Sequence, residues 1–233
     1  MSVMPPEHRI GFYLDFVSPY TWLALMQAER FAAQYGVVFE PRPVVYAALL
    51  TAHGLVGPVE TDAKRRYTLL DVARAARALG LTLTGPPAHP FRSLAALRTL
   101  CLFRRDPGAM RLAVLLSDAA WGEGRDLTDV AVLRDVVAKA GFPSDGLEER
   151  IVAAEVKDEL RALTDEALRL GVFGVPTFLY DGELFWGHDR LGHLTARLLG
   201  EPPPDPGLVR RLVDRPRGAE RARLDAGPSG DKI

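Results

Sequence analysis

The order of strand-like and helix-like patterns constrains this chain more than any other sequence feature. Residues 10–16 (IGFYLDF) place apolar or aromatic side chains at every second position, which predicts a β-strand. Ser18 and Pro19 then favour a helix start, because a hydroxyl side chain can cap a helix and proline loses no hydrogen bond at its first position. The helical pattern ends at Gly36, and residues 37–45 predict a second strand whose two prolines favour a sheet edge. The chain therefore begins with a β-α-β unit.

The middle of the chain is predicted to be helical. From about residue 61 to residue 171, apolar residues recur every three or four positions, and clusters of glycine and proline interrupt the pattern. The predicted helices lie near residues 61–79, 92–105, 109–121, 128–140 and 155–170.

A β-hairpin and one further helix are predicted to complete the fold. Residues 177–180 and 183–186 are strand-like and flank Asp181-Gly182, a pair that suits a two-residue type I′ turn. A short helix is then predicted at about residues 190–199. This order of elements is typical of an α/β, thioredoxin-like fold with a large all-helical insertion.

We predict that the chain has three parts. Residues 8–46 and 171–200 form a discontinuous thioredoxin-like domain, and residues 47–170 form a helical insertion domain. Residues 201–233 form a flexible C-terminal tail, because they are rich in proline and charge and poor in apolar side chains. The cleft between the first two parts is the default ligand site.

Charge and cysteine content exclude several classes of function. The 29 Lys+Arg against 30 Asp+Glu give a net charge of -1, which leaves no positive excess for binding nucleic acid. The chain has no apolar run near the roughly 20 residues needed to cross a bilayer, and no apolar secretory signal at its N-terminus. We therefore expect a cytoplasmic protein without a membrane span. The single cysteine, Cys101, excludes an internal disulfide, a Cys-x-x-Cys pair and a cysteine-rich zinc site.

The individual residues, taken alone, do not identify a functional site. Ser18 is more simply a helix cap than a catalytic residue, and it lacks the partners of a hydrolase triad. Base rates favour a trans peptide bond at Pro176. The five histidines lack the paired spacing of a metal site, so we expect no metal. Cys101 lies in an apolar helical segment, which favours a core residue over a nucleophile.

Three segments together resemble one enzyme family. They are FYLDFVSPYTWLA (12–24), HPFRSLAALR (89–98) and GVFGVPTFLYDGELFWGHDRL (171–191), and they occur in this order around the helical block. Asp-Phe-x-Ser-Pro-Tyr combined with Gly-His-Asp-Arg is specific. The chain resembles the 2-hydroxychromene-2-carboxylate isomerase family, which is similar to kappa-class glutathione transferases and belongs to the DsbA-like thioredoxin superfamily. The resemblance spans about residues 10–200.

The resemblance implies a glutathione-dependent isomerase of an aromatic 2-oxo acid. In that family Ser-Pro-Tyr-x replaces the Cys-x-x-Cys of DsbA, and the reactive sulfur belongs to bound glutathione, so Ser18 is implied to be catalytic. Pro176 is implied to be cis, and the backbone of Val175 to pair with the cysteinyl part of glutathione. Asp189, with Arg190 beside it, matches the segment that holds the γ-glutamyl end.

Further assignments follow from the same resemblance. Lys64 matches a basic residue that contacts glutathione in kappa enzymes. The chain departs from the family at Gly54-Leu55, where Gly-Asn is common, and at Arg92, where Asn is common and an arginine could reach a substrate carboxylate. The implied partners are glutathione and a small-molecule substrate, and family members are often homodimers. Two alternatives stay open: a kappa-like glutathione transferase and a non-catalytic DsbA-like binding module.

Overall fold

The structure, a computed structural model, describes residues 8–218. Within them the strands are β1 (His8–Leu14), β2 (Val37–Pro43), β3 (Thr177–Tyr180) and β4 (Glu183–Trp186). The α-helices are α1 (Pro19–Tyr35), α2 (Tyr46–His53), α3 (Asp62–Ala78), α4 (Leu94–Phe103), α5 (Ala109–Trp121), α6 (Val130–Lys139), α7 (Leu147–Arg150), α8 (Ala154–Arg169), α9 (Leu191–Leu198) and α10 (Pro206–Val213). Short 3₁₀ helices lie at Pro58–Glu60 and His188–Arg190. No helix in this described part is both long and apolar enough to cross a membrane.

The four strands form one mixed sheet in the order β2-β1-β3-β4. β1 runs parallel to β2 and antiparallel to β3, so that Phe12 lies opposite Pro41 on one side and Phe178 on the other. β3 and β4 are joined by Asp181-Gly182, and both residues have the positive φ that a type I′ turn requires (50° and 77°). The predicted hairpin, the edge position of β2 and the thioredoxin-like α/β class are confirmed.

β1 is the centre of the core because its middle residues are buried on both faces of the sheet. Ile10, Phe12 and Leu14 belong to the larger apolar cluster, which joins the sheet to α1, α4, α5 and α6. Tyr13 belongs to a smaller cluster formed with α2 and α8. The ring centroid of Phe12 lies 4.6 Å from that of Phe178, which fastens β1 to β3. Helices therefore cover both faces of the sheet.

The helices predicted in the middle of the chain are confirmed, with ends that differ by one or two residues. α1 occupies Pro19–Tyr35, as predicted, and ends at Gly36, whose φ of 63° is the left-handed conformation that glycine tolerates. The first strand lies at His8–Leu14 rather than at residues 10–16. The difference arises because Asp15 and Phe16 already belong to the turn that leads into α1.

Three α-helices were not predicted, and one of them, α7, is a single turn of four residues. α2 begins only a few residues after β2, and Val45 offers no side-chain cap, so its apolar residues look like a continuation of the strand. α10 lies within the predicted tail, where Asp205 caps it, and none of its residues is buried. Residues 219–233 of that tail lie outside the described residues. The division of the chain into three parts stays a prediction.

Two leucines test the position of the core. Leu14 is 0% exposed and Leu199 is 75% exposed. We expect Leu14→Ala to lower the free energy of unfolding by about 2–5 kcal/mol, because it removes buried methyl groups and leaves a cavity. The matched control Leu199→Ala should change it by no more than about 0.5 kcal/mol. Urea unfolding followed by circular dichroism measures both, and equal losses would contradict this core.

Candidate active site

A cavity of about 690 Å³ lies where the end of β1 meets the helical segment, which is the part of the chain between β2 and β3. Its volume falls within the range of about 300–1,000 Å³ that is usual for small-molecule sites. The polar and charged residues that line it are Asp15, Ser18, Tyr20, Tyr46, Glu60, Thr68, Asp71, His89, Arg92, Ser93, Trp186, His188, Asp189 and Arg190. A second cavity of about 320 Å³ runs along β4 and shares only Trp186 and Arg190 with the first.

Ser18 lies at the start of α1, at the wall of the larger cavity. Its backbone is extended, and its hydroxyl oxygen accepts a hydrogen bond from the backbone N–H of Thr21 at 3.3 Å, so the predicted cap is confirmed. The same hydroxyl donates to the carbonyl oxygen of Val175 at 3.2 Å. Because the N-terminus of α1 carries a partial positive charge, this position also favours an anion.

The segment before β3 meets α1 through a cis peptide bond. Val175-Pro176 is cis, which confirms the implication of the resemblance, whereas the base rate for X-Pro bonds favoured trans. Val175 is buried, and both it and Pro176 line the cavity. The backbone N–H of Val175 has no hydrogen-bond acceptor among residues 8–218. An extended ligand can therefore pair with this backbone.

A second cis peptide bond, His89-Pro90, lies in the cavity wall and was not predicted. The Nε2 atom of His89 lies 3.0 Å from the carbonyl oxygen of Val17 and carries the hydrogen, since a carbonyl can only accept. Burial lowers the pKa of His89, which favours the neutral imidazole. This hydrogen bond ties the helical segment to the residue that precedes Ser18.

Asp15 joins the turn before α1 to the start of α2. It is only 2% exposed, and its carboxylate oxygens accept hydrogen bonds from the backbone N–H groups of Val17 (3.1 Å) and Tyr46 (3.0 Å). Burial raises the pKa of Asp15, while hydrogen bonds from Ser93, Tyr46 and Val17 oppose that shift. Asp15 was not predicted as a site residue, although an acidic side chain within an apolar strand-like segment was the signal that could have revealed it.

One end of the cavity is polar and densely hydrogen-bonded. The hydroxyl of Tyr20 donates to Asp71 at 2.8 Å, and its ring stacks on His188 with centroids 5.3 Å apart and planes 8° from parallel. Burial, followed by the neighbouring Asp71, raises the pKa of Tyr20. Asp189 and Arg190 follow His188 and pair with each other at 2.6 Å. This end presents both signs of charge, which suits a zwitterionic ligand.

The structure brings most of the predicted site residues to one cavity. Ser18, Arg92, Val175, Pro176, Asp189 and Arg190 all line it. Lys64 does not; it is exposed on α3, one turn before Thr68, which does line the cavity. Because residues four apart share a helix face, Lys64 lies on the side of α3 that leads to the cavity rim.

Cys101 is not part of this site. It is buried in α4, where burial raises its pKa to about 12, so the predicted core role is confirmed. Among residues 8–218 no group of three or more His, Cys, Asp and Glu side chains could hold a metal ion.

This chain is similar to several known proteins in sequence and in structure. The model of the DSBA-like thioredoxin domain matches residues 9–199. The 2-hydroxychromene-2-carboxylate isomerase of Sphingobium xenophagum is 30% identical over 193 residues, which cover 82% of this chain and 97% of that protein. Glutathione S-transferase kappa 1 of Homo sapiens is 26% identical over 225 residues, 89% of this chain and 99% of that protein. A solved structure of 2-hydroxychromene-2-carboxylate isomerase superposes with a TM-score of 0.77 and 25% identity, covering 88% of this chain and 98% of the other.

The burial of Cys101 predicts an unreactive thiol. In the folded protein at pH 8 we expect no reaction with a thiol reagent such as dithionitrobenzoate within minutes, because the thiolate form is rare and inaccessible. In guanidinium chloride the same reagent should titrate one thiol per chain, which serves as the control. Rapid labelling of the folded protein would show that the thiol is accessible and would contradict the burial of Cys101.

Proposed function

Because this chain belongs to the DSBA-like thioredoxin family and, within it, to the 2-hydroxychromene-2-carboxylate isomerase family, we propose that it is a glutathione-dependent isomerase of an aromatic 2-oxo acid. One observation carries the proposal. The Ser18 hydroxyl is buried at the start of α1, 3.2 Å from the Val175 carbonyl oxygen, in a chain whose single cysteine lies elsewhere. The site therefore has the groups that bind a thiol but has no thiol of its own.

The residues of the cavity fit glutathione by their chemistry. The N–H and C=O of Val175 would pair with the cysteinyl backbone as a short added strand. Asp189 would accept hydrogen bonds from the γ-glutamyl ammonium group, and Arg190 would bind a carboxylate. Lys64 would reach the second carboxylate from the rim of the cavity.

Ser18 is proposed to stabilise the bound sulfur in its thiolate form. Its hydroxyl hydrogen would turn from the Val175 carbonyl toward the sulfur, while its oxygen keeps the N–H of Thr21. The start of α1 lowers the pKa of a nearby thiol in the same way as in redox enzymes of this fold. Glutathione supplies a thiolate whose reversible addition to a conjugated double bond allows that bond to rotate.

The other half of the cavity would hold the aromatic substrate. Its walls include the apolar side chains of Val59, Leu50, Phe91 and Leu94. Arg92 lies between Phe91 and Ser93 on the same wall, where its guanidinium can bind the carboxylate of a 2-oxo acid.

A kappa-like glutathione transferase is the second candidate, favoured by the 26% identity to the human kappa enzyme over 89% of this chain. The two activities share the thiolate and differ in its fate, because only conjugation consumes glutathione. Glutathione loss with chlorodinitrobenzene, compared with the isomerisation of a benzylidenepyruvate, separates them.

Reduced glutathione should stabilise the folded protein. At about 100 times its Kd a ligand adds roughly 2.7 kcal/mol, which for a chain of this size raises Tm by about 5–10 °C. A thermal-shift titration measures the rise, and oxidised glutathione provides a comparison. No rise at millimolar reduced glutathione would instead favour a peptide-binding module.

Ser18→Ala should lower the turnover of a benzylidenepyruvate at saturating glutathione by at least about 10-fold, or about 1.4 kcal/mol, because the thiolate loses a hydrogen-bond donor. Ser144→Ala, in the loop before α7, is the matched control and should leave turnover unchanged. If Ser18→Ala turned over substrate at the wild-type rate, Ser18 would have no part in catalysis.

A further inference from the structure

Two tyrosines line the active-site cavity, and their hydroxyl groups differ. Tyr20 donates its hydroxyl hydrogen to Asp71 at 2.8 Å. The hydroxyl of Tyr46 has no hydrogen-bond partner among residues 8–218, although the residue is half-buried in the cavity wall. A phenol in such a place has a donor available for a ligand.

The position of Tyr46 is fixed relative to Ser18 and Arg92. The backbone N–H of Tyr46 donates to Asp15 at 3.0 Å, and the same carboxylate accepts the N–H of Val17, which immediately precedes Ser18. Ser93, the neighbour of Arg92, also hydrogen-bonds to Asp15. One buried carboxylate therefore holds together the three segments that carry the thiol-binding serine, the arginine and this phenol.

The electrostatic surroundings keep the phenol protonated. Burial raises the pKa of Tyr46, and the negative charges of Glu60 and Asp15 raise it further. The Glu60 carboxylate accepts the N–H of Gly57 at 2.9 Å and has no hydrogen bond to the Tyr46 phenol. Tyr46 is therefore a neutral donor across the physiological pH range.

We propose that the Tyr46 hydroxyl donates a hydrogen bond to the 2-keto oxygen of the substrate while Arg92 binds the adjacent carboxylate. The two acceptor groups of a 2-oxo acid lie one carbon–carbon bond apart, and their two donors lie on segments that share the Asp15 anchor. The hydrogen bond draws electron density from the conjugated double bond toward the keto oxygen, which makes that bond more open to nucleophilic attack. The inference rests on the proposed function and adds a substrate-binding residue to it.

The test compares wild type, Tyr46→Phe and the matched control Tyr67→Phe. Tyr67 lies on α3 and is 63% exposed. trans-Benzylidenepyruvate is the probe, and binding is first measured without glutathione. Wild type and control should bind it with a red shift of its conjugated absorption band, because a hydrogen bond to the keto oxygen polarises the chromophore. Tyr46→Phe should lose the shift and bind roughly 3- to 10-fold more weakly. With glutathione present, its kcat should fall roughly 100-fold.

Each result has one meaning when the Tm values and glutathione affinities of the three proteins match. A lost red shift with weaker probe binding supports the hydrogen bond from Tyr46. An unchanged shift and affinity in Tyr46→Phe overturns this inference, and the proposed function stands if that variant still isomerises the probe. A wild type that neither binds nor isomerises the probe overturns both.

Discussion

The buried carboxylate of Asp15 is the interaction on which the arrangement of the site depends. It receives backbone N–H groups from the turn before α1 and from the first residue of α2, at 3.1 Å and 3.0 Å. A buried donor left without an acceptor costs about 1–3 kcal/mol, so neither segment can move away without a penalty. The start of α1 and the start of α2 therefore keep a fixed relation, and the cavity between them keeps its shape.

The helical segment completes the anchoring of this turn. Trp121 donates its indole N–H to the carbonyl oxygen of Phe16 at 2.9 Å, and His89 donates to that of Val17 at 3.0 Å. The carbonyl groups of the two residues before Ser18 are thus bound by side chains. An active-site hydroxyl needs rigid support of this kind, since small displacements of reacting groups lower the reaction rate strongly.

The fold was largely predictable from sequence, because β1, α1 and the hairpin each follow local rules of alternation, capping and turn chemistry. α2 was not predictable, since no capping side chain marks its start. Its first residue, Tyr46, is instead held by a tertiary hydrogen bond to Asp15. The resemblance supplied Ser18 and Pro176, which local patterns alone did not select. Asp15, Tyr46 and Asp71 were missed because their importance lies in contacts between distant segments.

The pairing of β1 with β3 also sets an order of events during protein synthesis. Phe12 contacts Phe178, and the whole helical segment lies between them in the chain. On the ribosome, β1 emerges early beside β2, yet its other edge stays open until residues 177–180 have left the exit tunnel. The nascent chain thus carries an unpaired apolar strand edge until β3 emerges, a state in which proteins are prone to aggregate. Chaperone demand for this protein should consequently be greatest before residues 177–180 emerge.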